Sequence, residues 1–289
     1  MARRIPSWFK RPLGDTPERR RVEAILRAYR LNTVCDSAAC PNRGECYSAS
    51  TATFMILGNR CTRNCRFCNV SSGPPEKLDS DEPSRLASAA HEIGLRYVVV
   101  TSVTRDDLPD GGAGQFAATI KELRKLDPSP KIEILTPDFQ GDEGALLVVA
   151  EAEPHVWGHN IEVVPRLYPE LRPKADYRQS LRLLAWIKEK SPAIATKSAL
   201  MLGVGETREE ILETCMHLRE AHVDLIVLGQ YMPPSKDHWP VRKFYTPEEF
   251  AEFEGEINGY GFSNVLALPW ARSSYQAGKG GTGRMGAEE

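Results

Sequence analysis

Strand-like and amphipathic helical segments alternate from about residue 51 onward, and this constrains the fold more than any other feature. The strand-like runs are TATFMIL (51–57), RYVVVTSV (96–103), KIEILTP (131–137), HVWGHNIEVV (155–164), AIATKSALMLG (193–203) and VDLIVLGQYM (223–232). Helical patterns follow at 82–93, 114–126, 143–152, 175–190, 208–222 and 246–257. Ile120, Leu123 and Leu126 recur at helical spacing, as do Leu183, Leu184 and Ile187. Strands that each precede a helix predict a parallel sheet joined by right-handed crossovers. Such a series closes wholly or partly into a barrel, or lies open as a doubly wound sheet. Six units fall short of an eightfold barrel. The chain then divides into an N-terminal extension (1–50) with a helix near 17–29, the alternating body (51–260), and a C-terminal extension (261–289) that is Gly-rich after Trp270.

The net charge of −2 over 289 residues creates no overall field that would select nucleic acid or a membrane surface as partner. The longest apolar runs, at 97–100 and 146–150, are far shorter than the roughly 20 residues of a membrane helix. The basic N-terminus lacks the apolar core of a secretory signal, and Asp15 and Glu18 argue against a transit peptide. It reads as part of the mature protein. Of seven cysteines, six crowd into Cys35–Cys68. Two triplets suggest thiolate ligation in a reducing compartment, which points to the cytoplasm. Cys215 lies alone in a helical pattern and reads as a small buried hydrophobe.

The first strand runs straight into GNRCTRNCRFCNV, so Cys61, Cys65 and Cys68 share a loop at the C-terminal end of a strand. Barrel enzymes place their chemistry there. Three thiolates on a four-iron cube leave one iron open to a substrate or cofactor. A zinc site would want a second ligand pair further on, and no histidine lies near. The spacing, with Phe67 before the last cysteine, resembles the signature of the radical S-adenosylmethionine family. That resemblance implies a partial (β/α)6, TIM-like barrel. It also implies a [4Fe–4S] cluster whose open iron binds the amino and carboxylate groups of S-adenosylmethionine. One electron then cleaves the cofactor to methionine and a 5′-deoxyadenosyl radical, while the protein orients and shields.

The second triplet, Cys35, Cys40 and Cys46, precedes the barrel. Alone it is open to zinc or to structural thiols; beside the first it reads as a second iron–sulfur cluster. Three cysteines leave either a fourth ligand to be found or a second open iron. An oxygen ligand there would make a labile corner. Together, VCDSAACPNRGECYS, CTRNCRFCNV, VVVTSVTRDDLPDGGAGQF, IEILTPDF, HNIEVVPRLYPELRPKADYRQSL, TKSALMLGVGET, GQYMPPS and RSSY resemble the lipoyl synthase family over nearly the whole chain. The resemblance implies radical insertion of two sulfur atoms, at C6 and C8 of an octanoyl group. That group is carried on a lysine of a lipoyl carrier domain or H-protein. An auxiliary [4Fe–4S] cluster is consumed as sulfur donor, and a ferredoxin- or flavodoxin-type protein donates electrons. By resemblance, Ser274, the second serine of RSSY, is the fourth auxiliary ligand and takes part in the reaction. The residues alone do not choose it over Ser273. Many members follow RSSY with His-Ala, whereas Gln276-Ala277 stands here.

Further polar positions sit at strand ends. The turn Asp110-Gly111-Gly112 meets the methionine part of the cofactor by resemblance, or is a plain Asp-Gly turn. Asn160 and Glu162 on the fourth strand share a face at i, i+2 spacing. They are candidates for the ribose hydroxyls or form a structural hydrogen-bond network. Phe67 flanks the adenine or simply packs the loop, and Gly203-Val204-Gly205-Glu206 is a weak adenine candidate. The basic N-terminus and the tryptophans serve an acidic carrier or are solvated. Two other readings remain: a biotin synthase-like sulfur inserter would lack the N-terminal triplet and RSSY, and a zinc-stabilised binding protein is separated by iron and sulfide content.

Overall fold

The computed structural model describes residues 5–9, 15–275 and 277–280. The N-terminal extension holds α1 (Pro17–Ala28), β1 (Asn32–Thr33), α2 (Val34–Ser37) and α3 (Arg43–Ser48). Thr16 caps α1 by accepting from Arg19 N–H, with Pro17 in the first turn, where a missing N–H costs nothing.

The body begins with β2 (Thr53–Ile56) and a small parallel ladder of β3 (Arg60–Cys61) and β4 (Ser71–Ser72). The alternation follows: α4 (Glu82–Ile93), β5 (Tyr97–Ser102), α5 (Ala113–Leu126), β6 (Lys131–Leu135), α6 (Glu143–Ala150) and β7 (Val156–Gly158). Then come α7 (Tyr168–Leu171), α8 (Tyr177–Lys190), β8 (Ala195–Leu202), α9 (Arg208–Glu220), β9 (Leu225–Gln230), α10 (Pro247–Asn258), β10 (Asn264–Ala267) and α11 (Ala277–Gly280). Capping boxes start α9 (Thr207 with Glu210) and α10 (Thr246 with Glu249), each satisfying two end donors.

The main sheet has the order β1-β2-β5-β6-β7-β8-β9-β10. β1 pairs antiparallel with β2, and every other pairing in it is parallel. Sequential order with helical crossovers, and no pairing of β10 back to β1 or β2 among the described residues, makes a partial barrel. Its core is closed by fully buried side chains, among them Phe54, Phe116, Trp157 and Phe250. No helix among the described residues is long and apolar enough to cross a membrane.

Two expectations need correction. A seventh parallel strand, β10, adds to β9 from within the segment read as the C-terminal extension. It is four residues long and followed by Leu268-Pro269, too short to show a period. The fourth strand of the series, β7, stops at Gly158, so Asn160 and Glu162 lie beyond it. Glu162, at a φ of 66°, interrupts the extended backbone, though it keeps an isolated parallel bridge to Leu200 of β8.

Candidate metal centres

The chain leaves β2 through Leu57 and Gly58, both at positive φ, and turns at once into the first cysteine loop. That loop is tied down on several sides. Thr62 N–H and Oγ1 both donate to Thr104 O at 3.0 Å, beyond β5. Arg66 N–H donates to Leu171 O at 3.0 Å, beyond β7, and Trp239 N–H donates to Arg66 O at 3.0 Å, beyond β9. The His238 ring meets Cys68 O at 3.2 Å. Cys61, Cys65 and Cys68 therefore sit over the C-terminal end of the sheet, where the neighbouring loops meet. Arg63 anchors the loop from below. It is buried against Asp106 (2.8 Å) and Asp138 (2.6 Å). Burial would raise the Asp138 carboxyl, but the Arg63 hydrogen bonds and charge outweigh it and hold the group near about 2.

All three cysteines are free thiols and half-buried. Arg63 N–H and Thr104 N–H both donate to Cys61 Sγ at 3.4 Å. Burial pushes the Cys65 thiol up and the Cys68 thiol to about 12. Thiols in such surroundings ionise when a metal displaces the proton. Two buried donors have no partner among the described residues: Arg172 Nε and the Tyr231 hydroxyl. The charge of Cys65 acts on Arg172, and that of Cys68 acts on Tyr231. Buried donors without partners, under the influence of two cysteines, suit an anionic group with many acceptor atoms, and an iron–sulfur cube is one. Among the described residues no three His, Cys, Asp or Glu side chains gather as ligands of a single ion. Thiolates on separate corners of a cube stand farther apart than that.

The second triplet is held on two short helices. Cys35 lies in α2, Cys46 in α3, and Cys40 in the turn between, its N–H donating to Cys35 O at 3.0 Å. The Tyr47 hydroxyl and Arg43 converge on Asp36, at 2.9 and 2.5 Å, and pin the two helices together. Burial pushes the Cys35 thiol up to about 11. The RSSY segment lies against this unit. Asn42 Nδ2 donates to Trp270 O at 2.8 Å, and the Tyr275 hydroxyl donates to Glu45 at 2.9 Å. The Arg272 guanidinium is under the charges of both Cys40 and Glu162. Ser273 Oγ donates to Asn160 Oδ1 at 3.1 Å, so the first serine is engaged; Ser274 is half-buried, and its hydroxyl has no partner among the described residues.

Asn160 and Glu162 meet despite lying beyond the strand. Asn160 Nδ2 donates to Glu162 Oε1 at 3.0 Å. Arg172 Nη1 holds the bend by donating to Asn160 O and Ile161 O, both at 3.1 Å. Burial raises the Glu162 carboxyl, partly offset by Arg172 and the Asn160 bond. Its charge acts on Cys65 and Cys68 of the first triplet and on Arg272, which Cys40 of the second triplet also influences.

The glycines have structural duties of their own. The Asp110 carboxylate accepts from Gly112 N–H (2.9 Å) and Gly114 N–H (2.8 Å), building the start of α5. Gly112 has a φ of 93°, and a Cβ there would meet Leu57 Cδ1 at 2.4 Å. Gly111, with a φ of 60°, has more room: a Cβ there would meet Phe139 Cδ1 at 3.0 Å. Gly203, Val204 and Gly205 turn their N–H groups onto Glu206, at 2.5, 2.9 and 2.9 Å. Phe67 is half-buried against the core. Much of the basic N-terminus, together with Gln276 and the tail from residue 281, lies outside the described residues. Sequence reasoning missed Asp106, Asp138, Arg172 and Tyr231, which come from four separate segments. Only Arg63, inside the cysteine loop, carried a positional signal.

The chain is similar to known proteins in both sequence and fold. The Radical SAM superfamily model matches residues 55–218. The chain is 53% identical to a lipoyl synthase of Caldanaerobacter subterraneus over 97% of this chain and 98% of that one. It is 50% identical to a lipoyl synthase of Rubrobacter xylanophilus, covering 94% and 85%. Among solved structures it resembles methylornithine synthase, with a TM-score of 0.54 at 13% identity over 90% and 85% of the two chains. It also resembles Streptococcus suis SuiB bound to S-adenosylmethionine, with a TM-score of 0.58 at 13% identity over 78% and 54%. These two likenesses speak to fold alone.

Proposed function

The chain belongs to the lipoyl synthase family of the radical S-adenosylmethionine superfamily, and on that premise we propose how its residues divide the work. The activity is radical insertion of two sulfur atoms, at C6 and C8 of an octanoyl-lysine on a lipoyl carrier protein. When bound, one [4Fe–4S] cluster with S-adenosylmethionine supplies the oxidant for unactivated C–H bonds, and the auxiliary [4Fe–4S] cluster supplies sulfur.

In this reading Cys61, Cys65 and Cys68 hold the radical cluster, and Cys35, Cys40, Cys46 and Ser274 hold the auxiliary one. Asn160 and Glu162 take the ribose hydroxyls, the Gly111-Gly112 backbone borders the methionine part, and Phe67 borders the adenine. The observation that carries the assignment is the joining of distant segments. Asn42, two residues after Cys40, and Glu45, beside Cys46, are bonded to Trp270 and Tyr275, which flank the two serines of RSSY. With Ser273 committed to Asn160, Ser274 is the hydroxyl left to face the cluster. Arg172 orients the bend that carries Asn160 and Glu162, and the Arg63–Asp138 pair fixes the cysteine loop.

The reading extends to a cytoplasmic setting, inferred from the crowded free cysteines. It also extends to a carrier domain or H-protein as substrate, and to a ferredoxin- or flavodoxin-type electron donor. Neither nucleic acid nor a membrane is a partner in this reading. Anaerobic reconstitution should give about eight irons per chain. Incubation with an octanoyl-lysyl peptide, S-adenosylmethionine and reductant should yield a peptide that has gained two sulfurs, together with 5′-deoxyadenosine. A colourless zinc protein would refute the assignment.

A further inference from the structure

Tyr231 presents a buried hydroxyl without a partner among the described residues. The residue is 3% exposed, and its hydroxyl oxygen makes no hydrogen bond there. Its backbone N–H donates to Leu202 O at 2.8 Å, which fixes it just past the end of β9, at the rim where the first cysteine loop lies. A stranded hydroxyl weakens a folded chain, because it has lost its water without gaining a partner. The ionisable group acting on it is Cys68. The segment that follows wraps the same cysteine, since the His238 ring contacts Cys68 O. On the other side of the loop, Cys61 Sγ already receives two backbone N–H donors.

We propose that the Tyr231 hydroxyl donates a hydrogen bond to sulfur at the Cys68 corner of the radical cluster and raises its reduction potential. This rests on the assignment of Cys61, Cys65 and Cys68 as its ligands. Reduction adds negative charge that is shared with the sulfurs, so a fixed donor stabilises the reduced form more than the oxidised one. Tyr231 is thus a tuning residue: it sets how readily the cluster accepts an electron, not whether the cluster forms.

Tyr231→Phe keeps the ring and removes only the oxygen. In the anaerobically reconstituted full chain, the electron paramagnetic resonance signal that responds to S-adenosylmethionine reports this cluster during a redox titration. With iron content equal to the parent, Tyr231→Phe shifts the midpoint to more negative values. The expected size is on the order of a tenfold loss of reduced cluster at fixed potential, about 59 mV for one electron. Iron-free Tyr231→Phe is at least as stable as the parent, because a stranded hydroxyl has gone. Tyr97→Phe, whose hydroxyl is bonded to Glu133 at 2.6 Å, leaves the midpoint unmoved. An unmoved midpoint in Tyr231→Phe, an equal shift in Tyr97→Phe, or loss of iron uptake in Tyr231→Phe overturns the proposal. If the parent shows no S-adenosylmethionine-sensitive signal, the cysteine assignment itself fails.

Discussion

Ser273 Oγ donates to Asn160 Oδ1 at 3.1 Å, joining the RSSY segment to the bend after β7 across 113 positions of sequence. The same amide turns its Nδ2 to Glu162 at 3.0 Å. One side chain therefore touches the residue beside the proposed auxiliary ligand and the carboxylate proposed for the cofactor ribose.

Asn160→Ala removes both bonds. The iron-free protein should lose about 1–2 kcal/mol in chemical denaturation, the sum of two ordinary hydrogen bonds. Affinity of the cluster-loaded protein for S-adenosylmethionine should fall by about tenfold or more, read by calorimetric titration. Wild-type affinity in the variant would remove Asn160 and Glu162 from the cofactor set.

The Tyr275–Glu45 bond gives a second expectation. Tyr275→Phe should cost about 1 kcal/mol and loosen the tail over the second triplet. Chelator should then strip the auxiliary cluster faster than in the parent while the radical cluster keeps its rate. Ser274→Cys should act in the opposite sense, holding iron at least as firmly while dithiol product disappears. Normal product formation in Ser274→Cys would dissociate the serine from sulfur release.

The alternation of strands and helices was legible because each parallel strand is buried on both faces and its helix is amphipathic. α4 falls at Glu82–Ile93, where the periodicity places it. β10 was not legible: four residues carry no period, and its pairing with β9 is a tertiary choice. The fourth strand was read too long because HNIEVV keeps strand-like composition while the backbone bends. That bend depends on Arg172, twelve residues from Asn160, and no local signal marks it. The cysteine triplets were legible because their chemistry is local. Asp138, Arg172 and Tyr231 were not, since they come from loops distant in sequence from the cysteines.

The buried pair at the base of the cysteine loop should be costly to break. Asp138 is fully buried and Arg63 nearly so, with Asp106 on the more open side. Asp138→Ala leaves the guanidinium half-paired in a dry site. It should destabilise the iron-free protein by about 3 kcal/mol, the lower end for a broken buried pair. A loss under ~1 kcal/mol would mean that Asp106 alone suffices. The same variant should slow iron uptake by the first triplet, because Arg63 positions the chain between Cys61 and Cys65.

His159 makes stability depend on pH in a definite window. Burial, and then the Arg172 charge, lower the imidazole from 6.5 to about 4, with Asp138 pulling the other way. The ring Nδ1–H donates to Thr136 O at 3.0 Å, and Nε2 meets, at 3.0 Å, the Ser180 hydroxyl, which itself donates to Asp176 O. The unfolded chain takes up this proton near 6.5, the folded chain only near 4. The associated stability is therefore complete above 6.5 and is lost as pH falls from 6.5 towards 4. Each unit of that window is worth about 1.4 kcal/mol, so a loss of about 2–3 kcal/mol is expected across it. Asp138 acts lower down. Held near about 2 against a usual 3.8, it contributes stability above 3.8 that disappears towards 2. In iron-free protein, His159→Gln should flatten the fall of unfolding free energy between pH 6.5 and 4 and leave the steeper acid limb in place. An unchanged slope in that window would show that the histidine titrates alike in both states and that its burial carries no linkage.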